Sequence, residues 1–148
     1  MSFVPCSGRY GRGRETSVSA EAEIRTLITR WVDGIRGCDL EAVTAAHSDD
    51  VVMFDVPPPY DGVRGAQAYR ESWPPFFEFI RSGADFELLE LHVEAGEDVA
   101  FAYGLLKCAG AKEFEDNPDN RLRLSMGLRR VGDQWQIAHE HHSFPDAT

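Results

Sequence analysis

From Ala20 to Arg36 the apolar positions Ile24, Leu27, Ile28, Trp31 and Ile35 return every three or four residues, the spacing of an amphipathic helix. Gly37 supplies a stop. Asp39 is placed to cap a short second helix running to about His47, with Leu40, Val43 and Ala46 inward and His47 complementing the C-terminal dipole. "DDVVMFDV" (49–56) changes to β-branched and aromatic residues and predicts a strand, ended by Pro57, Pro58 and Pro59. A third helical region starts near Gly65. Pro74 and Pro75 are expected to break or kink it after Trp73, because proline has no amide donor and crowds the preceding turn.

Beyond Gly83 the period is that of strands. Phe86–Glu94 and Val99–Cys108 are two, joined by the turn "AGED" (95–98). "AGAKEFEDNPDN" (109–120) reads as a polar excursion. Leu122–Val131 and Trp135–Phe144 follow, joined by the hairpin signal "GD" (132–133). Helices first and long strands afterwards predict an α+β fold, with the helices on one face of a meandering antiparallel sheet. No repeat or linker divides residues 20–145, which read as one domain. Residues 1–19, rich in Gly, Ser and Arg, read as a disordered tail, and a transit-type reading of them stays open.

Composition narrows the functional classes. The chain has 148 residues, enough for one domain with a core, and a net charge of −10, which repels phosphate backbones and argues against nucleic-acid partners. No apolar run is long enough to span a bilayer. Three cysteines (Cys6, Cys38 and Cys108) at wide spacing argue against a disulfide framework or a thiolate zinc site and suggest a reducing cytoplasm. "GRYGRG" (8–13) has no strand before it or helix after it, so no nucleotide-phosphate loop is inferred and no cofactor is expected.

Candidate chemistry concentrates in "HEHHS" (139–143). Strand alternation puts His139 and His141 on one face and Glu140 and His142 on the other. A metal needs three or four ligands converging on one point, which a single strand does not offer, so no metal site is expected. The hydrophobic pattern alone would bury the Trp135–Ile137 face and carry His139 and His141 inward with it.

The path from "GCDLEAVTAAHSDDVVMFDVPPP" through "GVRGAQAYRESW" to "RVGDQWQIAHEHHSFP" resembles the SnoaL-like, ketosteroid-isomerase-like branch of the NTF2-like superfamily over about residues 20–145. The resemblance implies a cone: a curved antiparallel sheet closed by three N-terminal helices around an apolar pocket. It also implies a homodimer through the outer sheet face. It turns Ala138, Glu140 and His142 toward the pocket and Trp135 and Ile137 outward, and that orientation is the one expected here.

The family's catalytic aspartate, five positions beyond the "DD" pair, corresponds to Asp55. A carboxylate at the mouth of an apolar hollow is poorly solvated and a stronger base for it. The bland alternative is that Asp55 caps the turn into Pro57. The family's oxyanion donors do not carry over. They correspond to Trp31, which has only an indole N–H, and Met126, which has no donor, while a supporting tyrosine corresponds to Trp73. The expectation is therefore a small apolar organic ligand with Asp55 as base in isomerase-, cyclase- or dehydratase-type chemistry. His142 and Glu140 would assist, or would only satisfy each other as a buried polar pair. Trp31, Trp73, Phe101, Tyr103 and Met126 would shape the hollow. A non-catalytic binding or dimerisation module of the same fold is the alternative.

Overall fold

Ser19 opens the first helix by accepting the amide of Ala22 at 3.2 Å, with Glu21 and Glu23 in the first turn opposing the positive end of the dipole. The computed structural model describes residues 19–146, so the tail expected over residues 1–19 lies, Ser19 apart, outside the described residues. Helix α1 (Ala20–Arg36) buries Ile24, Ile28, Trp31, Val32 and Ile35. Asp39 caps α2 (Leu40–Thr44) through the amide of Ala42, and Val43 is fully buried beneath it.

Helix α2 is shorter than its pattern suggests. Thr44 bonds back to the Leu40 carbonyl, and the chain turns at once into β1 (His47–Phe54). His47 is therefore a strand residue with its side chain in the interior, not a helix terminus complementing a dipole.

A two-residue strand β2 (Val63–Arg64) precedes α3 (Ala66–Arg81). Helix α3 continues through Pro74 and Pro75, against expectation. Tyr69, Trp73 and Phe77, spaced by four, anchor it in the core, and both prolines lie on its exposed side. The missing amide donors orphan the carbonyls of Arg70 and Glu71, which lie on residues that are half-buried and exposed. Burial of three aromatic rings outweighs the local proline penalty.

Strands β3 (Asp85–Ala95), β4 (Val99–Ala109), β5 (Leu122–Val131) and β6 (Gln134–Ser143) form the predicted antiparallel meander. The segment read as a polar excursion contains a short helix, α4 (Ala111–Asp116), whose Glu113 accepts the Gly110 amide. The sheet order is β2-β1-β6-β5-β4-β3. Strand β1 runs parallel to β6, so the sheet is not wholly antiparallel. The sheet is curved and unclosed, with helices against its inner face. Leu122, Leu124, Met126 and Leu128 of β5 alternate into the core opposite Ala102 and Leu106 of β4.

Strand β6 resolves the conflict over its faces. Leu128 pairs with Ile137, but Met126, two residues away on β5, pairs with Glu140, three residues away on β6. The extra residue is a β-bulge near Ala138, and a bulge reverses the phase of alternation. Trp135 and Ile137 therefore face inward before the bulge, and Glu140 and His142 face inward after it. The expectation that Trp135 and Ile137 lie on the outer face is corrected: they are 5% and 0% exposed. His139 and His141 face away, near the ring of Phe54.

Candidate active site

Strand β1 delivers Asp55 one residue past its end, and β6 delivers His142 beside it. His142 Nδ1 lies 3.3 Å from Asp55 Oδ1, which also accepts the Val56 amide at 2.8 Å. Both contacts fall on the same oxygen, Oδ1. The Asp55 side chain is 29% exposed, while His142 is 6% exposed.

The two residues line a cavity of about 300 Å³. Its other walls are mainly aromatic: Trp73, Phe76, Phe79, Phe86 and Phe144, with Pro75 and Leu122. Ser72 and Cys108 add polar edges. Burial, and then the nearby Asp55 carboxylate, push the Cys108 thiol up to about 12, so it stays neutral and weakly nucleophilic. A larger groove of about 1080 Å³ runs outside, along α1, α2 and the β5–β6 turn. Its lining includes Glu23, Arg30, Asp33, Asp39, His47 and Asp133, and the Asp55–His142 pair lies in the smaller hollow instead.

Behind His142 lies a buried polar cluster. Its Nε2 is 3.1 Å from Glu140 Oε2, an ion-pair distance but off the line of a straight hydrogen bond. Glu140 Oε1 accepts the Tyr69 hydroxyl at 2.7 Å and meets His47 Nε2. The Trp31 indole N–H donates to the Tyr69 oxygen at 2.9 Å, and the His47 ring stacks on Tyr69 with centroids 4.1 Å apart. Burial works against a charged Glu140, yet His47 and His142 together hold its carboxyl down at about 2. Burial likewise works against a charged His142, but Asp55 and Glu140 raise it to about 9. Burial and the adjacent Glu140 charge push the Tyr69 hydroxyl well above its ordinary value. Both shifts favour the charged forms, a Glu140 carboxylate facing a His142 imidazolium.

The sequence-derived residues divide accordingly. Asp55, His142 and Trp73 meet at the cavity, and Glu140 stands directly behind. Trp31 and Met126 are buried without lining it: Trp31 packs its ring 5.9 Å from that of His142, and Met126 pairs with Glu140 across the sheet. Phe101 and Tyr103 do not shape the hollow. They are 55% and 48% exposed on the outer face, because Ala102, Gly104 and Leu106 take the inward positions of β4. The sequence reading places His47 at a helix end and does not single out Tyr69, and both belong to the cluster behind His142. Among the described residues, no group of three or more His, Cys, Asp or Glu is arranged to hold a metal ion.

Comparison with known proteins agrees with this architecture. An NTF2-like protein of unknown function from Pseudomonas putida KT2440 is 36% identical over 88% of this chain and 91% of its own, with a TM-score of 0.77. An NTF2-like protein with a cystatin-like fold from Novosphingobium aromaticivorans is 18% identical over 85% and 82%, with a TM-score of 0.67. A candidate ketosteroid isomerase from Shewanella frigidimarina is 14% identical over 80% and 92%, with a TM-score of 0.63. At such low identities these last two show a shared fold alone. No protein of curated function matches the sequence. A family model described as a SnoaL-like domain matches residues 24–147, nearly the whole of the folded chain, and the chain therefore belongs to the SnoaL-like domain family of NTF2-like proteins.

Proposed function

We propose that the protein binds a small, mostly apolar organic molecule in the 300 Å³ hollow and moves a proton on it without a cofactor. Asp55 Oδ2 takes a proton from a position beside a carbonyl or hydroxyl, and His142 donates to the oxygen. Isomerisation, cyclisation and dehydration all fit this pairing. The carrying observation is the contact of Asp55 and His142, 3.3 Å apart, on the wall of a largely apolar cavity. Such a wall shields the pair from water and suits an apolar ligand.

A thermal-shift screen of neutral ring compounds would find ligands, and product formation from each hit would be followed by NMR. Asp55→Asn is expected to lower turnover by about 10²–10⁴-fold while leaving ligand affinity and melting temperature near wild type. Unchanged turnover in that variant rejects the base. Non-catalytic binding is favoured by one observation: the only N–H of the Trp31 ring is committed to Tyr69, and Met126 has no donor. Ligands that bind and are never converted, by wild type or variant, would decide for it.

The same reading includes a homodimer through the outer sheet face. Phe54, His141, Ser125, Tyr103 and His92 are successive cross-strand partners, forming one row across five strands. Leu89, Val99 and Phe101 add exposed apolar surface beside it. Phe101→Glu combined with Tyr103→Glu is expected to yield monomers in sedimentation experiments where wild type gives dimers. A wild-type monomer at all concentrations removes the dimer.

A further inference from the structure

Four elements converge on Glu140, a residue that does not line the cavity. Helix α1 sends Trp31, α3 sends Tyr69, β1 sends His47, and β6 carries Glu140 itself. Glu140 is 0% exposed and the His47 side chain 2%. Burying an anion this deeply is unfavourable unless every lone pair has a partner. Two donors satisfy Oε1, whereas Oε2 is left to face His142 Nε2. A purely structural network would close on itself. One end of this one is His142, the imidazole that lines the cavity, and the other is His47, whose Nδ1 is buried without a hydrogen-bond partner and which borders the outer groove.

The other ring nitrogen of His142 faces Asp55. The Trp31 and Trp73 rings flank the imidazole, with centroids 5.9 and 6.4 Å away. The ionisable groups around His142 are thus Asp55 beyond β1, Glu140 on its own strand, His47 and Tyr69 behind Glu140, and the neutral Cys108 thiol across the hollow.

We propose that Glu140, gripped by Tyr69 and His47, is a positioning residue that keeps His142 doubly protonated with its Nδ1–H aimed at Asp55 and the hollow, so that His142 serves only as a donor. This rests on the acid–base reading of the site and assigns the roles within it. When Asp55 accepts the proton of a substrate C–H bond, its carboxylate is neutralised and releases its hold on the Nδ1–H. That N–H turns to the substrate oxygen, where the electron pair from the broken C–H bond has accumulated. Asp55 returns its proton to another carbon, the charge leaves the oxygen, and His142 ends as it began. His142 would thereby take over the stabilising task that Trp31 and Met126 do not perform.

The test is the ring ¹⁵N spectrum of ligand-free protein labelled at histidine, with His142 assigned by His142→Gln. The expected wild-type result is a doubly protonated His142 at neutral pH, with its titration well above that of a free histidine. Glu140→Gln, nearly isosteric, should lower the midpoint by about two pH units, a hundredfold change in the proton affinity of the ring. Tyr69→Phe should leave His142 charged at pH 7 but speed solvent exchange of its Nε2 proton tenfold or more. A wild-type His142 that is neutral at pH 7 overturns the proposal without any variant. So does a folded Glu140→Gln whose His142 titrates unchanged. Because no substrate is present, the result is separate from the Asp55→Asn turnover test. A charged His142 in a protein that converts nothing would uphold the clamp and reject the catalytic reading.

Discussion

At the scale of single residues, the interior of this protein is unusual in holding a carboxylate between two imidazoles. Removing one member of such a group strands the others in a poorly solvating medium, which costs more than the group contributes as a whole. Glu140→Leu is therefore expected to destabilise by about 3–5 kcal/mol, measured by urea denaturation. Trp31→Phe deletes the donor to Tyr69 along with part of the buried indole, and loss of the donor should cost about 1–2 kcal/mol beyond the lost packing. A Trp31→Phe variant as weakened as Glu140→Leu would mean that the indole, not the carboxylate, organises the cluster. Asp55 and His142 were legible through a family resemblance and strand alternation. His47 and Tyr69 were not, because their partner Glu140 lies 93 and 71 residues away. Local spacing says nothing about such separations. The available signal was that a polar histidine at the edge of "DDVVMF" and a tyrosine on the apolar face of α3 both needed buried partners.

At the scale of elements, periodicity identified both long helices and all four long strands, since each buries one face and so writes its period into the sequence. It missed β2 and α4, which are too short to show a period. It also misjudged α3, where three buried aromatic rings override two prolines. The bulge in β6 is invisible for a different reason: no local pattern marks the break in alternation, and the two halves of the strand obey opposite phases. Deleting Ala138 should restore a single phase, turning either Trp135 and Ile137 or Glu140 and His142 outward. The expected outcome is loss of cooperative thermal unfolding by circular dichroism; a native-like transition would show that the bulge is dispensable. A second register shift lies in β3 between Leu88 and Glu90, opposite Leu106 and Leu105. Beside it, a Cβ on Gly104 would sit 2.4 Å from the Glu90 carbonyl oxygen. Backbone cannot yield as a flexible side chain can, so Gly104→Ala should destabilise by about 1–3 kcal/mol in the same denaturation assay.

For the whole molecule, the buried cluster sets the pH range over which the fold is most stable. His142 binds its proton more tightly in the folded chain, at about 9, than an unfolded histidine would, near 6.5. Its contribution is complete below about 6.5 and disappears as pH rises through 9. Glu140 holds its proton less tightly in the folded chain, at about 2, than its ordinary 4.5. That contribution is complete above about 4.5 and is lost as pH falls through 2. Both are complete together only between about pH 4.5 and 6.5, so the unfolding free energy should be greatest there. On the alkaline side the slope attributable to His142 approaches one proton, about 1.4 kcal/mol per pH unit, between about 6.5 and 9. The chain's net charge of −10 works in the same direction, because self-repulsion grows as histidines lose their protons. Salt separates the two causes. Repulsion among exposed charges is screened at about 0.5 M sodium chloride, whereas a pair 3.1 Å apart in the interior is not. An alkaline decline that survives in high salt and vanishes in His142→Gln would belong to the cluster. One abolished by salt would belong to the surface and leave the proposed imidazolium without thermodynamic support.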